Sequence, residues 1–392
     1  MKIITRNVWI LSLVSLFTDV ASEMLYPVMP VYLRSIGFSV LLIGVLEGVA
    51  EATAGLSKGY FGNLSDTIGK RLPFVQAGYA FSAVSKPMMA ILTYPVWVFF
   101  SRTLDRMGKG IRTGARDALL SDETTPQYKG RVFGFHRGMD TLGAVIGPLI
   151  ALLYLNIHPG HYRILFLVAF IPGLLSIGIT FLIREKTKVV QHERAKPGFL
   201  DFIRYWKDGP PLYRKLAGAL LVFTLFNSSD VFLLLKIKES GYNDTTVIGI
   251  YIFYNLVYAI FSYPLGALAD KFGMKKVFIG GLLVFVAVYA GMAVTHNEAV
   301  YFALFFLYGI YAAATEGVAK AWITNICKKK DTATAIGTYT AFQSMCTLLA
   351  SSVTGMLWYS YGGKAAFLVT AAGVLLIVPY IALIKKESHS DS

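Results

Sequence analysis

The chain has 392 residues, 55% of them hydrophobic and 14% aromatic, with only 15% charged. Soluble domains carry roughly 25% charged residues, so this composition excludes an ordinary soluble enzyme and calls for lipid around much of the surface. The net charge of +14 would suit a polyanion such as nucleic acid, but its placement along the chain points to membrane topology instead.

Apolar runs of about 20 residues recur from end to end, each long enough to cross a ~30 Å hydrocarbon core. They place helices near 8–33, 40–61, 73–93, 96–119, 131–155, 163–183, 213–235, 246–265, 277–295, 299–322, 333–359 and 364–384. The start, Met1 to Ile10, runs into the first segment without a small-residue cleavage site, so that segment is expected to be retained. With the N-terminus inside, cytoplasmic ends and loops hold 26 Lys and Arg. External loops hold five: Arg34, Arg163, Lys236, Lys238 and Lys364. The positive-inside rule then puts both termini in the cytoplasm.

The first segment carries Asp19 and Glu23 at i, i+4, with Tyr26 beside them and Pro27 and Pro30 breaking the helix. Glu47, Glu51 and Lys58 lie on one stripe of the second. The loop after it reads Gly62-Asn63-Leu64-Ser65-Asp66-Thr67-Ile68-Gly69-Lys70-Arg71, and Lys86 lies in the third segment. On the fourth, Arg102, Asp105, Arg106, Lys109, Arg112 and Arg116 fall at 0, 3, 4, 7, 10 and 14, a single polar face. The fifth segment sets His136, Arg137 and Asp140 ahead of Gly143, Gly147 and Pro148.

The polar stretch from Arg184 to Lys215 joins two halves. Within it Phe199, Phe202, Ile203 and Trp206 recur at helical spacing, which predicts a short amphipathic helix on the inner membrane surface, ended by Pro210-Pro211. The seventh segment has Asn227, Ser228, Ser229 and Asp230. The eighth has a Tyr251, Tyr254 and Tyr258 stripe, and the tenth has Tyr308, Tyr311, Thr315 and Glu316. Between the eighth and ninth the loop returns as Gly266-Ala267-Leu268-Ala269-Asp270-Lys271-Phe272-Gly273-Met274-Lys275-Lys276, 204 residues after its first copy. Gly37-Phe38 with Gly241-Tyr242, and Arg116 with Lys320, keep the same spacing. A repeat at half-length implies two related halves with the functional centre between them. The fold class expected is an all-α integral membrane protein with twelve transmembrane helices in two pseudo-symmetric six-helix bundles. Residues 1–184 form the first, 185–212 a cytoplasmic linker and 213–392 the second.

The halves are chemically unequal. An ionisable group at the bilayer centre costs ~2.5–3.5 kcal/mol on insertion scales, yet the first half buries six acids and five bases. The second has only Asp230, Glu316 and Lys320 at similar depth. Lys58, Lys86, Arg137 and Asp140 have opposite charges within reach and read as ion pairs that fix packing. Asp19, Glu23, Glu47 and Glu51 lie at similar depth on neighbouring helices, an arrangement that favours a bound proton among them. The tyrosine stripes suit packing as well as a binding wall.

The duplicated loop resembles the signature of the major facilitator superfamily between helices 2 and 3 and between helices 8 and 9. Thr67 and Met274 stand where that pattern usually has a basic residue. The resemblance covers essentially the whole chain. It implies gating at the cytoplasmic side by Asp66, Arg71, Asp270, Lys275 and Lys320, with Arg112 or Arg116 a partner for Asp66. Arg106 to Gly110 is similar to the family's second motif, whose arginine is associated with proton coupling; Lys109 stands where glutamine is common. Gly143 to Ala151 is similar to the fifth-helix motif of drug:proton antiporters, without its final glycines. Physically, Gly143, Gly147 and Pro148 let that helix pack closely on a neighbour across the interface and seal a leak.

The function implied is a secondary active transporter that moves a small solute by alternating access, as proton-coupled export across the cytoplasmic membrane. The alternative is a proton- or cation-coupled importer of a small metabolite, metal or metal chelate. Proton coupling in a central cavity is expected of Asp19, Glu23, Glu47, Glu51, Arg102, Asp105, Arg106 and Lys109. Substrate contacts are expected of Tyr26, Asn227, Asp230, Tyr251, Tyr254, Tyr258, Tyr311 and Glu316. There is no nucleophile–histidine–acid set and no phosphate loop, so an enzyme is not expected. Neither are a cofactor, a nucleic-acid partner or a metal set: Cys327 and Cys346 read as packing residues, and His158 and His161 flank an exposed loop. A monomer in the lipid bilayer is expected, with protons as the coupling ion.

Overall fold

A computed structural model describes residues 3–26, 28–185 and 197–384. Pro27, the stretch 186–196 of the linker and the C-terminal pair Lys385 and Lys386 lie outside the described residues. The first pass is two helices, α1 (Arg6–Glu23) and α2 (Met29–Ser35). The Thr5 hydroxyl starts α1 by accepting from the Val8 amide at 3.3 Å. There follow α3 (Val40–Ile68), α4 (Leu72–Ile91), α5 (Pro95–Asp122), α6 (Lys129–Ile157) and α7 (Tyr162–Thr180). Ser39 caps α3 and Asn243 caps α11 (Asp244–Phe272), each through a side-chain oxygen. Between them lie the short α8 (Tyr205–Asp208) and the two pieces of the seventh pass, α9 (Pro211–Phe226) and α10 (Val231–Glu239). The chain continues as α12 (Met274–Val294), α13 (Glu298–Ile326) and α14 (Thr332–Leu383); the last holds two passes and turns between them at Gly362.

The described residues are helix and connecting turns without strands, and the passes number six plus six. The doubling is written in the backbone. Left-handed positions fall at Gly37, Gly69, Gly160, Gly241, Gly273 and Gly362, which pair at spacings of 204, 204 and 202. Gly69 (φ 71°) ends α3 and Gly273 (φ 99°) ends α11, a conformation that L side chains rarely adopt. The broken passes also correspond. Glu23 closes α1, and 204 residues later Asn227 follows α9.

Among the described residues, seven helical stretches are long and apolar enough to cross a membrane by composition alone, from Pro126–Ile157 onward. The first four passes fall short of that measure. In α5 the reason is the six charged residues of its polar face, which only neighbouring helices can satisfy.

The helices gather into two compact units. Unit 1 is Met1–Thr125, Phe135–Tyr205 and Lys329–Ser344; unit 2 is Pro126–Gly134, Trp206–Lys328 and Met345–Ser392. Each therefore follows one sequence half, except that it includes a helix tip from the other. Unit 1 packs Leu16, Val20, Met24, Leu33, Phe166 and Ala169 around Tyr32, whose hydroxyl donates to the Met89 carbonyl at 2.8 Å. Unit 2 has an aromatic core in which Phe285 stacks on Tyr289 at 4.2 Å and meets Tyr311 edge-on at 4.8 Å. The linker departs from a simple surface helix. Phe199 and Ile203 are 53% and 42% exposed, but Phe202 is 1% exposed and packs inside unit 1.

Candidate functional site: a charged face and two capped loop ends

The polar face of α5 is met by acids from α3 and bases from α4, and most of the charge is paired inside unit 1. Arg102 grips Glu47 with two parallel bonds, Nε to Oε1 at 2.8 Å and Nη2 to Oε2 at 2.9 Å. It also lies 3.5 Å from Asp105. Asp105 takes Lys86 at 3.3 Å from the other side. Arg112 donates to the Ser82 hydroxyl at 2.6 Å and stacks over Tyr79 at 4.6 Å. Arg116 pairs with Asp117 at 2.9 Å and donates to Ser15 at 3.2 Å. These contacts satisfy groups whose burial in lipid is otherwise prohibitive.

What is left over is more informative. Arg106 has only a 3.9 Å contact to Glu47, and its Nε is buried without an acceptor. Among the described residues the side chains of Glu23, Glu51 and Lys109 make no ion pair or hydrogen bond. They interact through space instead: Lys109 with Glu51 and Asp19, and Glu23 with Lys109 and Arg106. Lys109 is exposed on this face.

The close packing of α6 on α1 brings two more acids together. A Cβ at Gly143 would lie 2.7 Å from the Asp19 Cβ, and one at Gly147 would lie 2.7 Å from the Met24 nitrogen. Gly143 and Gly147 thus pack on α1 within unit 1. One turn before Gly143, Asp140 pairs with Arg137 at 2.7 Å and accepts from the Ser15 hydroxyl. Its carboxylate interacts through space with the Asp19 carboxyl.

The duplicated loops end on helix tips. In unit 1, Asp66 Oδ2 accepts from the Thr334 amide at 2.7 Å and its hydroxyl at 2.9 Å. Asp66 Oδ1 pairs with Arg71 at 3.0 Å. In unit 2, Asp270 accepts from the Gly130 amide at 2.7 Å and the Arg131 amide at 2.9 Å. Thr334 and Gly130 are themselves 204 residues apart, so the two loops make the same contact with equivalent tips. Each carboxylate sits at a helix N-terminus, where free amides and the helix dipole favour negative charge. Asp66 lies beyond the predicted span 40–61. Burial pushes its carboxyl up to about 6, against the lowering influence of Arg71 and the Thr334 bonds. The expected partners are corrected here. Asp66 pairs with Arg71, because Arg112 and Arg116 are engaged deeper along α5. Lys275 does not face a loop aspartate; it donates to the Ala382 and Ile384 carbonyls at 2.8 and 3.1 Å and so caps the end of α14. Lys320 is half-buried on α13.

The second-half residues form a different environment. Asp230 follows the break after α9 and accepts from the Tyr308 hydroxyl at 2.6 Å. Tyr308 lies 5.0 Å from Tyr254 and 5.3 Å from Tyr311. Tyr251 and Tyr258 flank Tyr254 at 6.3 and 6.1 Å. Tyr254, Tyr258 and Tyr311 are buried, so in unit 2 this stripe is packed core, and the exposed acid is Glu316. Tyr26 is 49% exposed and belongs to unit 1, apart from that cluster. Sequence reasoning missed Thr334, Gly130 and Arg131. The 204 spacing that relates the loops would have related these tips as well.

A family model described as Major Facilitator Superfamily matches residues 11–256 and 231–392. An uncharacterized MFS-type transporter of Methanocaldococcus jannaschii is 31% identical over 387 residues, 95% of each chain. Multidrug resistance protein MdtG of Dickeya zeae is 23% identical over 400 residues, 98% of this chain and 96% of the relative. Among solved structures, the human organic anion transporter MFSD10 (TETRAN) superposes with a TM-score of 0.84 at 17% identity. The match covers 96% of this chain and 99% of that one.

Proposed function

The chain belongs to the major facilitator superfamily, and from that premise we propose that this secondary transporter exports a small organic solute in exchange for protons. The observation that carries the coupling is the close packing of α6 on α1 at Gly143, which sets Asp19 near Asp140 and beside Glu23, Glu51 and Lys109. Two buried carboxylates held near one another repel, and a proton taken up by one of them relieves that repulsion. That gives the face a place to hold a proton, and Glu51 and Lys109 give it charges free to answer a change at Asp19. The positive-inside bias puts the loop ends in the cytoplasm of the inner membrane. There, loss of the Asp66 and Asp270 caps would accompany opening to the inside, as alternating access requires. The name of the MdtG relative, a multidrug resistance protein, supports export.

A second reading rests on Lys109. Lys109 is exposed one turn from Arg106 and its charge suits an anionic solute, which on this reading moves with a proton rather than against it. One experiment separates the two. Candidate solutes found by thermal shift are added to proteoliposomes with an imposed pH gradient, using wild type, Glu51→Gln and Asp19→Asn. Export coupling predicts solute uptake driven by an acidic interior and lost in both variants, whereas an anion symporter reverses the gradient requirement. Flux that ignores the gradient in every variant refutes proton coupling altogether.

A further inference from the structure

In unit 1, α3 and the tip of α14 meet along a seam. From the loop end inward it consists of the Asp66–Thr334 cap, the approach of Gly62 to Ala333, and the Lys58 ammonium donating to the Ser344 hydroxyl at 2.9 Å. Midway along it sits a side chain from neither helix. The linker turn Asp201–Arg204 carries Phe202 into a slot over Gly59, where a Cβ would lie 2.5 Å from the ring carbons. The ring is 1% exposed. The Phe202 carbonyl accepts from the buried Thr338 hydroxyl at 2.9 Å, one turn along α14 from the residue that Asp66 caps. Phe202 therefore touches both helices of the seam at once, by its ring and by its backbone. Outside the slot, Phe199 adds a ring contact to Tyr60 at 5.3 Å.

We infer that Phe202 is a gating residue, and that the linker turn is a third fastening of the unit 1 loop end, which must leave its slot before the tip of α14 parts from α3. The internal repeat supports this. In the second half, the position 204 residues after Gly59 is Tyr263, a large side chain 39% exposed, so the slot is not repeated. The linker occurs once, and it fastens the one seam that has room for it. It is also short. Only Gly209 and Pro210 separate α8 from α9, and Pro210-Pro211 is stiff, so displacement of α9 pulls directly on the turn. A strap of this kind sets the balance between conformers that a transporter visits, without touching what is carried.

The test uses the full-length protein in nanodiscs, with Cys327 and Cys346 replaced by serine. Spin labels are placed on the exposed Ile68 and Lys330, and distances are read by double electron–electron resonance. Phe202→Ala raises the share of long distances roughly tenfold or more, the order expected for losing a buried ring. Phe202→Leu recovers most of the wild-type distribution, Thr338→Val gives an intermediate one, and Ile203→Ala gives no change. A Phe202→Ala distribution that matches wild type overturns the inference, even with a lowered melting temperature, because the ring then only packs. The measurement needs neither solute nor pH gradient, so its outcome is independent of proton coupling and of transport direction.

Discussion

Replacing Gly62 with alanine measures how far the α3–α14 seam depends on backbone contact. A Cβ there would lie 2.5 Å from the Ala333 carbonyl oxygen, 3.2 Å from its carbon and 3.3 Å from the Gly337 Cα. Ordinary contacts begin near 3.4 Å, so the tip of α14 must withdraw by about 1 Å, the kind of overpacking that costs about 1–3 kcal/mol. The bond from the Thr334 amide to Asp66, 2.7 Å in the native seam, is the first to lengthen. At about 1.4 kcal/mol per factor of ten, local opening becomes roughly 5- to 150-fold more frequent. Amide hydrogen exchange in a peptide covering 332–338 reads that change directly. Gly48→Ala is the control on the same helix, since nothing lies within 4 Å of a Cβ there. Gly266→Ala is the reciprocal variant: it meets the Gly130 carbonyl, and accelerates exchange at 130–131 but not at 332–338. Equal exchange in Gly62→Ala and Gly48→Ala would refute the contact argument.

Arg102→Ala removes the two-bond grip on Glu47 and a partner of Asp105. Breaking a buried pair costs ~3–5 kcal/mol; because the Glu47 side chain is 38% exposed, about 2 kcal/mol is expected after solvent screening. Arg102→Lys recovers only part, for want of the fork geometry. Thermal melting in detergent checks both, and an unshifted Arg102→Ala contradicts the pairing. The Asp66 cap gives a pH dependence of defined sign. Its carboxyl titrates at about 6 when held, whereas a hydrated aspartate titrates near ~3.9. The held arrangement binds the proton more tightly, so it gains as pH falls from about 6 towards 4 and loses as pH rises through 6. Exchange at 332–338, corrected for intrinsic rate, should slow on acidification across that window; faster exchange would reverse the assignment.

The repeat of Asp66 at Asp270 made the doubled scaffold legible before any coordinates. The charge stripe of α5 likewise announced an inward polar face, because helical spacing maps directly onto side-chain direction. Pairing within that face was not legible. Arg102, Arg106, Arg112 and Arg116 are alike in sequence, and only the positions of Glu47, Ser82 and Ser15 on neighbouring helices decide which guanidinium goes where. The caps of Asp66 and Asp270 were hidden for another reason. Their shared partners are backbone amides at Thr334, Gly130 and Arg131, to which only Thr334 adds a hydroxyl, and they lie 268 and about 140 residues away. Phe202 shows the limit of amphipathic reasoning. Helical spacing marks a face that avoids water, but not whether lipid or protein covers it.

The exchange of helix tips has a consequence for the chain as a heritable object. The cap for the first loop is encoded in the second half, and the cap for the second loop in the first. Neither half-sequence specifies a finished product, and a cut through the linker would leave two fragments that each withhold a part the other needs. Fragments made separately and brought together should complete one another, as two subunits with swapped arms do. What reads as one polypeptide is, in its bonding, a partnership between two gene halves that cannot be dissolved without disarming both.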